Sequence, residues 1–284
     1  MLQNKQESVI AFSRWMENER KSHLTVRQYC FFANLFMEFH KKKLEEVTAD
    51  DIERFKEYLV KERKYSKSSQ YLCTKALRLL YKSFRIAPPY NLTAPKRPRS
   101  VPKYLSEKET ARLIQAASKN SKNLAIVSVL AYTGIRVGEL CRLNIQDVDL
   151  DEKIMLIRHG KGDKDRIVIL SEESADALSL YLKSRNRLNI DNDSLFISRK
   201  MSRYDPTSIQ RLVKKLSVEA GISKSVTPHI LRHTFATSIM RNGANLKFIQ
   251  EILGHSTLAT TQIYVHIDDG EMKSMYEKHK PTYR

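Results

Sequence analysis

The sequence predicts a mainly α-helical protein with a small β component: an N-terminal four-helix domain, a basic proline-rich linker, and a mixed α/β domain. Three observations carry this. Apolar residues recur at helical spacing through residues 1–87, five of the eight prolines fall within residues 88–102, and two short strand-like runs, 153–158 and 166–170, flank a glycine-bearing turn. The expected divisions are residues 1–87 for the helical domain, 88–104 for the linker, 105–267 for the mixed domain and 268–284 for a C-terminal tail helix.

The first two helices are expected over residues 9–16 and 26–39. Thr48 and Asp51 have the spacing of a capping box, with Asp replacing the usual Glu, ahead of Ile52, Phe55 and Leu59 on one face. Tyr71, Leu72, Leu77, Leu80 and Phe84 mark the fourth helix. Phe31, Phe32, Phe36 and Phe39 fall at helical spacing and are expected in the core rather than as base-stacking platforms. In the linker, Lys96, Arg97, Arg99 and Lys103 form a cationic strap suited to a phosphate backbone, although a solvated linker would look similar.

Beyond the linker, Ser106 and Glu109 form a capping box for a helix over 107–117, and a second apolar helix covers 124–132. The two strand-like runs then make a hairpin with Lys161 between Gly160 and Gly162 in its turn. Further helices begin at Asp205-Pro206 and Thr227-Pro228, each with an N-cap residue and proline at the first helical position, and end near Gly221 and Gly243. In the tail, Met272, Met275, Tyr276 and His279 define an amphipathic helix too small to stand alone. It must dock, either on its own domain or on a neighbouring protomer.

The formal charge is +18, and it is spread along the chain: residues 1–99 carry 21 Lys and Arg against 11 Asp and Glu, the remainder 29 against 21. A polyanion is the expected partner, and nucleic acid fits better than a membrane, because the longest apolar run, 124–132, is too short to span a bilayer. Nothing in the first fifteen residues marks the chain for export, so a cytoplasmic location is expected. Cys30, Cys73 and Cys141 are odd in number, far apart and set in helical apolar patterns, which suits reduced thiols.

Chemistry-bearing residues collect at separated points. Arg136 follows a glycine break at a helix start, with Glu139 three residues on, close enough to brace it. His229 and Arg232 share a helix face, His255 follows Gly254 at a helix end, and Tyr264 comes nine residues later. Guanidinium forks neutralise non-bridging oxygens and histidine moves protons near neutrality, so the set suits metal-free attack on a phosphodiester. Each member also has a plainer reading. Arg136 and Glu139 could be a surface ion pair, Lys161 a solvated turn residue, His255 a helix cap and Tyr264 a half-buried aromatic. His229 and His233 have the spacing of a zinc pair, but no cysteine joins them and Ile230 stands where a metalloprotease has glutamate.

Taken in order, Thr133-Gly134-Ile135-Arg136, Gly160-Lys161-Gly162, His229-Ile230-Leu231-Arg232-His233, Leu253-Gly254-His255 and Tyr264 resemble the signature of the tyrosine recombinases, the phage-integrase family. Within it the chain is most similar to the Xer recombinases, of the archaeal XerA-like kind, with no arm-binding domain expected ahead of the helical one. The resemblance implies a core-binding helical domain and a catalytic domain closing as a C-shaped DNA clamp. It also implies roles: Tyr264 as nucleophile, Arg136 and Arg232 as phosphate clamps, Lys161 as general acid to the 5′-oxygen, His229 in proton transfer, His255 on the phosphate and Glu139 as support. Neither ATP nor a divalent metal is implied. The implied partner is double-stranded DNA at a specific site, bound by a homotetramer on two sites, with a monomer or dimer when free, and the resemblance favours docking of the tail helix on the neighbouring protomer. The implied task is resolution of chromosome dimers at a dif-type site through a Holliday junction. The alternatives are integration of a mobile element, a type IB topoisomerase, and a DNA-binding protein without chemistry.

Overall fold

The computed structural model describes residues 2–96, 103–158, 165–188, 191–254 and 269–283. The chain forms two compact units, Met1–Val101 and Pro102–Arg284.

The first unit holds α1 (Leu2–Asn18), α2 (His23–His40), α3 (Ala49–Lys61) and α4 (Lys67–Ser83). Side chains fix where the helices start: Ser22 and Ser66 accept from the backbone N–H three residues on, and Thr48 and Asp51 complete the reciprocal box expected at α3. Asp51 is buried, and Lys42 Nζ donates to both of its oxygens at 2.9 and 2.8 Å, so the charge is taken inside with a partner. The core draws Phe12 and Met16 from α1, Phe32 and Phe36 from α2, Ile52 and Phe55 from α3, and Leu77, Leu80 and Tyr81 from α4. Phe36 meets Phe55 edge-on at 5.0 Å. Phe31 departs from expectation. It is 51% exposed, because its place on α2 turns it from the face that carries Phe32 and Phe36.

The second unit contains α5 (Glu107–Ala117), α6 (Ser121–Thr133), α7 (Val137–Arg142), β1 (Val148–Asp149), β2 (Ile154–Ile157), β3 (Arg166–Ile169), α8 (Glu172–Asn186), α9 (Pro206–Glu219), α10 (Pro228–Arg241), α11 (Leu246–Leu253) and α12 (Asp269–His279). Every residue of α6 from Ala125 to Thr133 is buried, which explains why its sequence shows no polar face. α5, α8 and α10 pack around it. The sheet is antiparallel in the order β1-β2-β3, with Met155 paired to Val168 and Ile157 to Arg166. Met155, Ile157 and Val168 face the α6 core, which leaves Arg166 at the edge of an apolar layer. Among the described residues no helix is long and apolar enough to cross a membrane. Cys73 and Cys141 are buried, Cys30 half-buried, and all three are free thiols.

α6 ends at Gly134, whose φ of 61° lies in the left-handed region. A Cβ there would also sit 2.5 Å from the Phe235 ring and 2.9 Å from Leu253 Cδ2, so glycine lets α10 and α11 close on the α6 terminus.

The tail docks on its own unit. Tyr276 is buried and its hydroxyl donates to Tyr132 O at 2.8 Å, while Tyr283 Oη donates to Ala131 O at 3.1 Å. Asn242 Nδ2 donates to the carbonyls of His279 and Lys280, and His279 Nδ1 donates back to Asn242 O. The resemblance favours the neighbouring protomer, but the single chain attaches its tail in cis, because Tyr276 and Tyr283 find carbonyl and apolar partners within their own unit. Tyr276 joins Phe235, Ile239, Phe248 and Leu253 in one cluster, which gives the short helix the apolar partner it lacks by itself. Replacing Tyr276 by Ala should destabilise this unit by about 3–5 kcal/mol. Denaturant unfolding checks this, and an unchanged midpoint would remove the tail from the core.

Candidate active site

The described part of the site is built around one buried carboxylate. Glu139 lies in the first turn of α7 with its side chain 2% exposed, so its charge needs full pairing. It accepts four hydrogen bonds. Arg136 supplies two, from its backbone N–H to Oε2 at 2.8 Å and from Nη1 to Oε1 at 2.8 Å. Arg166, at the start of β3, supplies the other two as a bidentate fork, Nη1 to Oε1 at 3.0 Å and Nη2 to Oε2 at 2.8 Å. Burial alone would raise the Glu139 carboxyl, but the bonds and charge of Arg166, followed by those of Arg136, hold it down at about 2.

Neutral partners complete the cluster. Arg136 Nη2 donates to Gly254 O at 3.1 Å. Arg232, on α10, donates from Nη1 to Gly134 O and from Nη2 to Leu253 O, both at 2.7 Å. These carbonyls stand at the C-terminal ends of α6 and α11, where helix geometry leaves carbonyl groups without partners and the dipole favours a cation. Burial, and then the like charge of Arg136, lowers the Arg232 guanidinium to about 10, which leaves it charged at neutral pH. Two of its five N–H groups are used in these bonds.

Two guanidinium groups thus share one carboxylate and a third, that of Arg232, carries its charge beside them, an excess of two positive charges in a partly buried site. An anion with several oxygen acceptors, such as a phosphodiester, is what this arrangement can hold. Of the residues singled out in the sequence, Arg136, Glu139 and Arg232 are brought together here. His229 and His233 are exposed on α10, His229 one turn ahead of Arg232. Among the described residues no group of three His, Cys, Asp or Glu side chains could hold a metal ion. Lys96 and Lys103 are exposed. Arg97, Arg99, Lys161, His255 and Tyr264 lie outside the described residues.

Arg166 is the member that the sequence reading passed over. It sat at the head of an apolar run and was absorbed into the strand. No short-range signal marks it: Val168 and Ile169 are both buried although their side chains have opposite parity, so alternation along β3 does not assign Arg166 to a buried face.

Family comparison places this geometry. The phage integrase family model matches residues 103–271, and the model of its N-terminal SAM-like domain matches residues 10–85. The chain belongs to the phage integrase family. It is 36% identical over 276 residues to tyrosine recombinase XerA of Pyrococcus horikoshii, covering 95% of this chain and 92% of that one. It is 35% identical over 279 residues to XerA of Thermococcus kodakarensis, covering 96% and 95%. The crystal structure of a XerA recombinase aligns at 52% identity over 98% of this chain and 100% of that one, with a TM-score of 0.55. A XerH site-specific recombinase bound to its difH substrate aligns at 25% identity over 88% and 78%, with a TM-score of 0.67. This phage-integrase member is therefore a site-specific tyrosine recombinase of Xer-like type.

The depressed Glu139 carboxyl sets a pH dependence. A folded value of about 2 against an ordinary 4.5 means its stabilisation is fully present above about 4.5 and is lost as pH falls toward 2. Glu139→Gln should lower stability at pH 7 by roughly 1–3 kcal/mol, and the gap to wild type should close on acidification through that window. Urea unfolding across the pH range measures it; a gap independent of pH would mean that the carboxylate charge is not what matters.

Proposed function

We propose that this protein cuts and rejoins double-stranded DNA at a specific site, with Tyr264 as the nucleophile. The Tyr264 hydroxyl attacks the scissile phosphorus and loses its proton with help from His229. The bond to the 5′-oxygen breaks, and Lys161 protonates that oxygen. A 3′-phosphotyrosyl bond and a free 5′-hydroxyl result, and attack by a partner strand's 5′-hydroxyl reverses the steps. Arg136 and Arg232 neutralise the non-bridging oxygens, His255 hydrogen-bonds the phosphate, and Glu139 orients Arg136. The phosphotyrosyl bond retains the backbone's bond energy, so neither ATP nor a divalent metal is needed.

The observation that carries this reading is the cationic excess around Glu139, formed by residues from the Arg136, Arg232 and Gly254 parts of the signature. A second observation favours Tyr264 over the other tail tyrosines. Tyr276 and Tyr283 both donate their hydroxyls to backbone carbonyls, and burial pushes both far above the ordinary tyrosine value.

The finer assignment is a Xer-type one: a homotetramer on two sites, strand exchange through a Holliday junction, and resolution of chromosome dimers in the cytoplasm at a dif-type site. The +18 charge and the exposed Lys96 and Lys103 support DNA as partner, with Arg97 and Arg99 in the same basic stretch. The XerH relative bound to difH DNA supports a dif-type site over a mobile element's ends.

A suicide substrate nicked near the cleavage point tests the chemistry. The protein should form a covalent DNA adduct that survives denaturation, and Tyr264→Phe should bind the same DNA with no adduct. An adduct from Tyr264→Phe would move the nucleophile elsewhere. Strand exchange between two sites then separates a recombinase from a topoisomerase.

A further inference from the structure

Arg166 occupies an unusual position for a strand residue. Its side chain is 13% exposed, and both ends of its fork are engaged by Glu139, so it does not present itself to a substrate. Among the described residues its Nε is buried without a hydrogen-bond partner. That nitrogen lies against Gly254, where φ is 62° and a Cβ would sit 3.0 Å from Nε and 3.1 Å from Cδ and Cζ. One guanidinium thereby touches the first turn of α7 and the residue after α11, while its own strand forms one arm of the hairpin whose connecting residues include Lys161.

The bonds around Glu139 show what this contact does. A carboxylate offers about four acceptor positions, and here all four are filled, two by Arg136 and two by Arg166. With the Arg166 fork in place the carboxylate has a single orientation. Without it, half of the bonds vanish, the carboxylate is held by Arg136 alone, and the Arg136 guanidinium, whose side chain is 26% exposed, loses a reference that is independent of its own residue. Arg166 also adds a like charge beside Arg232, so its presence is an electrostatic burden that geometry must offset.

We propose that Arg166 is a positioning residue of the phosphate clamp: by holding both oxygens of Glu139 and seating against Gly254, it fixes the Arg136 guanidinium for the scissile phosphate. The proposal rests on Arg136 acting as a phosphate clamp. Arg166 acts through Glu139 and makes no contact with DNA.

Arg166→Lys is the informative variant. It keeps a cation beside Glu139, so the carboxylate is not left unpaired, but one ammonium cannot reproduce the planar fork. On the nicked suicide substrate it should cleave about 10- to 100-fold more slowly than wild type, as expected for a displaced catalytic group, with unchanged DNA affinity. Replacing the charged scissile phosphate with a neutral methylphosphonate removes the negative charge that Arg136 must neutralise. On that substrate the deficit of Arg166→Lys relative to wild type should shrink. In a Glu139→Gln background, Arg166→Lys should add little further loss, because its route to Arg136 is already gone. Equal deficits on both substrates, or losses that add fully to those of Glu139→Gln, would overturn the proposal. Arg136→Ala is measured alongside. Wild-type cleavage by Arg136→Ala would refute the clamp itself, whereas an inactive Arg136→Ala with an unimpaired Arg166→Lys would refute only the role of Arg166.

Discussion

The buried carboxylate of Glu139 is the constraint to which the rest of the site answers. A carboxylate taken out of water is tolerable only when its oxygens are filled by donors, and in this fold the donors are two arginines from different elements. Satisfying Glu139 therefore does more than stabilise α7. It ties the loop after α6 to β3, and through Arg136 Nη2 and the close approach of Arg166 it ties both to Gly254 at the end of α11. Segments far apart in the chain are brought to one point by the needs of a single buried charge.

The charge balance then turns a structural cluster into a binding site. Arg232 rests on the carbonyls of Gly134 and Leu253, which lower its energy without neutralising it. With Arg136 and Arg166 sharing the one carboxylate, the cluster holds cationic charge before any ligand arrives. Bringing such groups together opposes folding, and a packed core must offset it: the buried stretch of α6 from Ala125 to Thr133, the α10 and α11 side chains closing over Gly134, and the Tyr276 anchor of α12. Preorganised positive charge of this kind gives most to a reaction in which negative charge gathers on phosphate oxygens.

Much of this was legible in the sequence because it rests on local rules. The Thr48–Asp51 and Ser106–Glu109 boxes, the Asp205-Pro206 and Thr227-Pro228 helix starts and the apolar run 124–132 within α6 are all short-range signals, and all appear in the structure. The pairing of Arg136 with Glu139 was readable from a spacing of three. What could not be read this way depends on distant neighbours. The second fork on Glu139 comes from Arg166, 27 residues further on, and the exposure of Phe31 depends on which face of α2 meets α4. β1, with two residues, is too short to leave a period, and it exists because β2 offers it an edge. The tail showed its apolar stripe in the sequence, but the choice of its own α6 and α10 as partners emerged only from the packed surface.

The central claim is that this clamp serves a nucleophile in the segment that follows Gly254. The most direct measurement is to locate the DNA on the protein after cleavage of the suicide substrate. Trypsin should release residues 248–273 as one peptide, in which Tyr264 is the sole tyrosine, whereas Tyr276 falls in residues 274–278. Mass spectrometry of the nuclease-trimmed adduct should find the nucleotide remnant on the 248–273 peptide. A remnant on the 274–278 peptide, or on any peptide outside 248–273, would contradict the account.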